Sequence, residues 1–226
     1  MKNVLIVSCL ALCLAACSPL KGLLIEPTAL ETVNALKTIM NNSATEALGT
    51  LAQLKQGEDA LPDELKPVLQ TLKTLGLDDQ IDDIEKAVVT ASSVAAAESE
   101  GIMRDAIKEV KFKDAVALVT GGEDATTRVL KDIMYKTVKN RYSETLDSEL
   151  SKHDVTKYWP MATSAYNLFA KDKVEADMSD FLSERAVDAV FLGMANQEKI
   201  IRSDYAKLGD AVVTKVFDYY TKNNGN

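Results

Sequence analysis

The sequence predicts an all-α protein, a single multi-helix, bundle-like domain of about 7–9 helices. Three observations carry that prediction. Apolar residues recur every three or four positions through most of the chain, which is the pattern of amphipathic helices. Nothing alternates with period two for long, as a half-buried strand would. Asp and Thr before the apolar runs, and Gly after them, mark where helices start and stop.

The chain opens with an export signal. Lys2 gives the basic start, Val4 to Leu14 the apolar run, and Ala15 and Ala16 the small residues beside a cut. The run is about 11 residues, and a membrane-spanning helix needs roughly 20. Leu14-Ala15-Ala16-Cys17 resembles, at all four positions, the Leu-[Ala/Ser]-[Gly/Ala]-Cys lipobox of bacterial lipoproteins. The resemblance implies cleavage before Cys17 and lipidation of its sulfur, with acyl chains such as palmitate holding the protein on a membrane. Two or three chains, at about 0.8 kcal/mol per buried methylene, hold far more firmly than one. Cys9 and Cys13 leave with the signal, so no thiol remains for a disulfide, a nucleophile or a metal. Ser18 follows the cysteine. Lipoproteins kept in the inner membrane typically carry Asp there, so the outer membrane is favoured, with the body facing the periplasm. The expected layout is a signal peptide over 1–16, a lipidated tether over 17–27 and a helical domain over 28–222.

The formal charge is −8, and −9 once Lys2 is removed. That balance argues against nucleic acid and against a polybasic grip on anionic lipid. Every aromatic residue lies from Phe112 onward. Aromatics bury the most area per residue, so the tight core is expected in the back half, with the front helices packed onto it.

Thr28-Ala29-Leu30-Glu31 forms a capping box. It opens a helix whose stripe runs through Leu30, Val33, Leu36, Met40, Ala44, Leu48, Leu51 and Leu54. Gln56 to Asp59 is a loop. A second helix spans about Asp63 to Leu75, with Pro67 in its first turn and Gly76 as its C-terminal cap. Asp78 and Asp79 start a third, which runs towards Ala97. Its acidic turn, Asp82, Asp83 and Glu85, lacks the alternating ligands and central glycine of a calcium loop and reads as a solvated face. Gly101 is read as a break before a helix over Ile102 to Val110.

Asp114 to Val119 is a short helix that stops at Gly121-Gly122. The next begins at Glu123 and Asp124 and runs towards Tyr142, with Val129, Ile133, Met134 or Tyr135, and Val138 facing inward. Ser143 or Asp147 restarts a helix through Leu150. Trp159-Pro160 is read as a junction, and Met161 to Phe169 as a further helix. Asp177 caps the clearest helix. Leu182, Ala186, Val190, Gly193, Gln197 and Ile201 line one side of it; Phe181, Ala189, Met194 and Ile200 widen that stripe. Ser183, Glu184, Asp188, Lys199 and Arg202 face out. A last helix is expected from about Ser203 to Tyr220.

Gly121-Gly122-Glu123-Asp124-Ala125-Thr126-Thr127 resembles the Gly-Gly-x-Asp-Ala-Ala-Thr stretch that joins two helices in the DUF4197 family of bacterial, often lipoprotein-like, domains. Asp105-Ala106-Ile107-Lys108 with Asp114-Ala115, Ala186 to Phe191, Glu198-Lys199-Ile200-Ile201-Arg202, and Leu208 to Phe217 resemble further family runs. Thr126 stands where the family has Ala, and Arg141-Tyr142-Ser143 stands near the family's Phe-x-Pro, so that proline's role does not transfer. The resemblance covers roughly Ala29 to Phe217. It implies a fold and a location but no reaction, and it marks Gly121, Gly122, Asp124, Thr127, Arg128, Glu198 and Arg202 as candidate site residues.

Gly121-Gly122 at a helix N-terminus invites comparison with a phosphate cradle. Glu123 and Asp124 already occupy that positive end, and no Lys-Ser/Thr pair follows as in a P-loop. A structural turn is favoured: one glycine left-handed at the helix end, the other allowing two helices to approach. Asp124 and Arg128 are spaced as an i,i+4 pair, and Glu198 and Arg202 likewise read as a surface pair. His153, the sole histidine, lacks the companions a zinc site or a nucleophile triad requires. Tyr158-Trp159 and Tyr166-Phe169 either line an apolar pocket or, preferably, pack the core. No catalytic, metal or cofactor residue is assigned. The expected function is a non-enzymatic interaction module of the cell envelope, with an envelope protein as possible partner and the membrane held through Cys17. The alternative is a carrier for a lipid or other apolar small molecule.

Overall fold

Thr28 and Glu31 form the capping box at the start of the first helix. Glu31 accepts from the Thr28 N–H at 2.8 Å, and the Thr28 hydroxyl accepts from the Glu31 N–H at 3.2 Å. The computed structural model describes residues 25–51, 62–175 and 177–223; the signal, Cys17 and the tether as far as Leu24 lie outside them. Eight α-helices and no strand occur among the described residues: α1 (Ala29–Leu51), α2 (Lys66–Thr74), α3 (Asp78–Glu109), α4 (Ala115–Thr120), α5 (Ala125–Leu150), α6 (Val155–Asn167), α7 (Met178–Ser203) and α8 (Ala211–Asn223). The chain is all-α, as its apolar periodicity predicts.

The core is centred on α1 and α7. Helix α1 packs on α7, α3 and α8, α7 also packs on α5, and α5 on α3. Helices α2 and α6 pack on each other at the flank. Leu36, Ile39 and Met40 of α1 are fully buried, so the front of the chain is central, not an addition to an aromatic core. Small residues make this possible. A Cβ on Gly193 of α7 would lie 2.9 Å from the Cβ of Ala47; the two helices meet at a spacing that only glycine allows. The large rings are shared out instead, with Tyr142 on α5, Trp159 on α6, Phe191 on α7 and Phe217 on α8, all buried.

Several helix boundaries differ from expectation, each for a tertiary reason. Helix α3 runs unbroken through Gly101, which is exposed with nothing near its Cβ position; good helix formers on both sides outweigh a glycine penalty of about 1 kcal/mol. Helix α5 continues past Tyr142 to Leu150 because Tyr142, Leu146 and Leu150 prolong its buried stripe. That stripe contains Leu130, Met134 and Val138, while Ile133 is exposed.

Pro160 lies inside α6. Pro160 and Thr156, whose carbonyl it leaves unpaired, both face solvent, Trp159 is buried beside them, and the Thr163 hydroxyl donates to the Trp159 carbonyl at 3.0 Å. Leu168 and Phe169 lie beyond α6 and are exposed. Asp177 caps α7 as predicted, accepting from the Asp180 N–H at 3.0 Å. On α7 Leu182, Val190, Met194 and Ile201 are buried as expected, but Ser183 and Val187 are buried too, and Ile200 and Ala189 are exposed. Leu30, at the start of the expected stripe of α1, is exposed too. Gly209, at φ 72°, separates a 3₁₀ turn (Tyr205–Leu208) from α8, and Asp210 accepts from the Val212 and Val213 N–H groups at 2.8 and 2.9 Å.

Candidate functional site

Asp114 starts α4 by accepting from the Ala117 N–H at 2.9 Å. After six helical residues α4 stops at Gly121, whose backbone is extended (φ −76°, ψ −168°) and not left-handed. Space dictates the glycine there: a Cβ would lie 2.8 Å from the Ala117 carbonyl oxygen and 3.1 Å from the Ala125 Cβ. At Gly122 a Cβ would lie 3.1 Å from the Arg128 guanidinium. The turn is thus a close passage between the end of α4 and the start of α5. Arg128 and Asp124 form the expected i,i+4 pair at 3.2 Å, largely exposed.

The first N–H groups of a helix have no partner within it. In α5 those of Thr126 and Thr127 are satisfied from another helix, by the carboxylate of Glu198 on α7, at 3.1 and 2.8 Å. The Thr127 hydroxyl donates to the same carboxylate at 2.7 Å. Arg202, one turn further along α7, donates through Nε to Glu198 at 2.8 Å. Its Nη1 donates to the Val119 carbonyl at 2.9 Å, and its Nη2 to the Leu118 carbonyl at 2.8 Å and to the Thr126 hydroxyl at 3.0 Å. Glu198 is fully buried and the Arg202 side chain about 10 % exposed. This corrects the expectation of a surface pair.

The arrangement matches charge to helix polarity twice. An anion sits at the positive end of α5 and a cation at the negative end of α4. Burial of both charges is tolerable because each is hydrogen-bonded on several sides. Gly121, Gly122, Asp124, Thr127, Arg128, Glu198 and Arg202 therefore all converge on one turn. Thr126 belongs with them, since its hydroxyl takes a bond from Arg202, and sequence reasoning missed it. A signal for the burial was present: Val187, Val190 or Phe191, Met194 and Ile201 form an apolar stripe at helical spacing, and Glu198 falls on it.

A cleft of about 390 Å³ opens beside this turn, walled by Val119, Gly121, Lys199, Arg202, Phe217 and Tyr220. Lys199 pairs with Glu123 across one edge at 2.6 Å, and that carboxylate pushes the ammonium pKa up. The Arg202 guanidinium lies over the Phe217 ring, 5.4 Å from its centre. A second cleft, of about 490 Å³, holds Gln80, Asp83, His153, Asp154 and Tyr158; His153 itself stands in the exposed turn between α5 and α6. Among the described residues no group of three or more His, Cys, Asp or Glu is placed to hold a metal. Of the aromatic residues considered for a pocket, Trp159 packs in the core and Phe169 is 91 % exposed.

A family model described as "Protein of unknown function (DUF4197)" matches residues 26–218. The chain belongs to the DUF4197 family. The matched stretch of this DUF4197 chain takes in the capping box at Thr28, the whole turn and the pair from α7. Searches of the curated proteins and of the solved structures found no match.

Proposed function

We propose that this DUF4197 protein is a lipid-anchored, periplasm-facing lipoprotein of the bacterial outer membrane, serving as a non-enzymatic interaction module of the cell envelope. Leu14-Ala15-Ala16-Cys17 supports the anchor and Ser18 the outer-membrane address; these residues lie outside those described. No helix among the described residues is long and apolar enough to cross a membrane.

One observation carries the non-enzymatic half of this reading. Both oxygens of Glu198 and all three nitrogens of Arg202 are engaged in holding helix ends. Groups tied in this way position a fold. Around them exposed Glu123, Arg128 and Lys199 and half-buried Asp124 form a charged rim, the kind of polar border that protein contacts use. A photocrosslinking residue at Tyr220 or Lys199, in the native envelope, tests it. A discrete protein adduct is expected, and an adduct pattern equal to that from a probe on the opposite flank, at Lys73, refutes it.

The second reading, a carrier for an apolar molecule, is favoured by the Phe217 and Tyr220 walls of the smaller cleft. Native mass spectrometry of the Cys17→Ala body, purified without detergent, separates the two. A reproducible extra mass of lipid size supports the carrier; a bare mass refutes it.

A further inference from the structure

We propose that the end of the domain where α1 begins is a lipid-facing surface, with Ile25 and Leu30 entering the membrane interface and Lys108, Lys111 and Lys113 meeting anionic headgroups. This rests on the lipoprotein reading above and says which face of the body the anchor turns towards the bilayer.

Ile25 and Leu30 are each 68 % exposed, whereas Leu36, Met40, Ala44 and Leu48 further along α1 are buried. Leu30 and Lys37 are seven residues apart and share one face of the helix. The Lys37 ammonium donates to the Lys108 carbonyl. That bond brings the end of α3, and the Val110–Asp114 connection after it, to the same face. Lys108, Lys111 and Lys113 are exposed there, and no ion pair among the described residues engages them.

The neighbouring acids are of two kinds, some bonded within the fold and some exposed. From Lys108 to Asp114 there are three lysines and two acids. Asp114 is bonded to the Ala117 N–H, and Glu31, on the first turn of α1, is paired with Lys215 at 2.7 Å. Arg104 pairs with Glu100, while Glu26, Asp105 and Glu109 remain exposed. The chain's negative total argues against an electrostatic grip by the whole protein; this is a local surface on which long lysine stems let ammonium groups reach phosphates.

Covalent reach selects the occupant. Eight peptide steps join Cys17 to Ile25, at most about 28 Å fully extended. A lipid on Cys17 therefore holds this end of α1 beside the bilayer. Thr50, 20 residues further along the same helix, stands about 30 Å away. Exposed lysines beside two exposed aliphatic side chains, on a surface held that close to a membrane, fit the lipid interface itself.

The test uses the mature lipidated protein carrying either Leu30→Cys or Thr50→Cys, labelled with bimane; the Cys17 sulfur is blocked by its lipid, so only the new thiol reacts. The vesicles are phosphatidylethanolamine with phosphatidylglycerol, brominated on the acyl chains. Quenching several-fold greater at position 30 than at position 50 is expected. It should fall when phosphatidylglycerol is omitted or when Lys111→Glu and Lys113→Glu are combined. Equal quenching at the two positions, or quenching at 30 indifferent to both changes, overturns the proposal. The mass of the same extract reports whether Cys17 bears diacylglycerol. If it does and the two positions quench alike, this inference alone fails; if it does not, the anchor reading fails and takes the inference with it.

Discussion

Glu198 and Thr127, 71 residues apart, meet through two bonds to one carboxylate oxygen: the Thr127 N–H at 2.8 Å and its hydroxyl at 2.7 Å. With the Thr126 N–H and Arg202 on the other oxygen, this carboxylate is the cap of a helix to which it does not belong. An N-cap ordinarily comes from the residue just before the helix. Here Asp124 holds that position without using its side chain for it, and α7 supplies the acceptor.

Glu198→Ala should therefore be among the most damaging single changes in the protein. It leaves Arg202 buried without its carboxylate and two N–H groups of α5 without acceptors, a loss of about 3–5 kcal/mol. Urea unfolding measures it. Replacing Glu198 and Arg202 together by methionine should cost less than the two single changes added, because neither charge is then left alone. An unchanged urea midpoint for Glu198→Ala would show that the carboxylate carries no weight.

Three glycines should respond to alanine in opposite directions. Gly101→Ala lies on an exposed helix surface with nothing within 4 Å, and should stabilise by about 0.5–1 kcal/mol. Gly193→Ala drives a methyl against Ala47, and Gly121→Ala against the Ala117 carbonyl; each should destabilise by about 1–3 kcal/mol. Thermal melts of the three variants are enough to rank them.

Acid should weaken the link between the first and last helices. The Lys215 ammonium, then the Thr28 N–H and hydroxyl, hold the Glu31 carboxyl down at about 2, against an ordinary 4.5. A carboxylate depressed in the folded state stabilises it above the unfolded value and loses that contribution as pH falls through the folded one. Stability should thus decline between about pH 4.5 and 2. Glu31→Gln should flatten that part of the curve, followed by circular dichroism across a pH series. A curve parallel to the parent's would remove Glu31 as a cause.

Two aromatic residues ten positions apart should behave as opposites. Trp159 is buried, and Trp159→Ala should lose about 3–5 kcal/mol. Phe169 is exposed, and Phe169→Ser should stay within about 0.5 kcal/mol. Denaturant midpoints of the two variants check this, and a large loss at Phe169 would mean that something covers it.

What the sequence shows plainly is whatever depends on residues within four positions of one another. The capping box of Thr28 and Glu31, the Asp177 cap, the end of α4 and the Asp124–Arg128 pair are all of that kind. What it hides depends on the other side of the interface. Glu198–Arg202 has the same spacing as Asp124–Arg128 and the opposite burial. The difference is that Val187 and Glu198 join Leu182, Val190 and Ile201 on the buried face, where Ala186 and Gln197 were expected. Pro160 inside α6 and Gly101 inside α3 are similar cases. Local preference marks a break at each, and packing or solvent exposure removes the need for one.

Lys215 and Glu31 are 184 residues apart, and α1 is enclosed by α7 and α8. The first helix of the domain to be synthesised therefore has two of its three main partners in the last two. Contacts of such separation require closing most of the chain into one loop, and topologies rich in them fold slowly. Until α7 and α8 arrive, the apolar face of α1 is covered only in part, by α3, and the α4–α5 turn lacks its acceptor. A chain cut short before α7 would lack two of the three main partners of α1 and the acceptor at the start of α5, so the fold is completed from the carboxyl end.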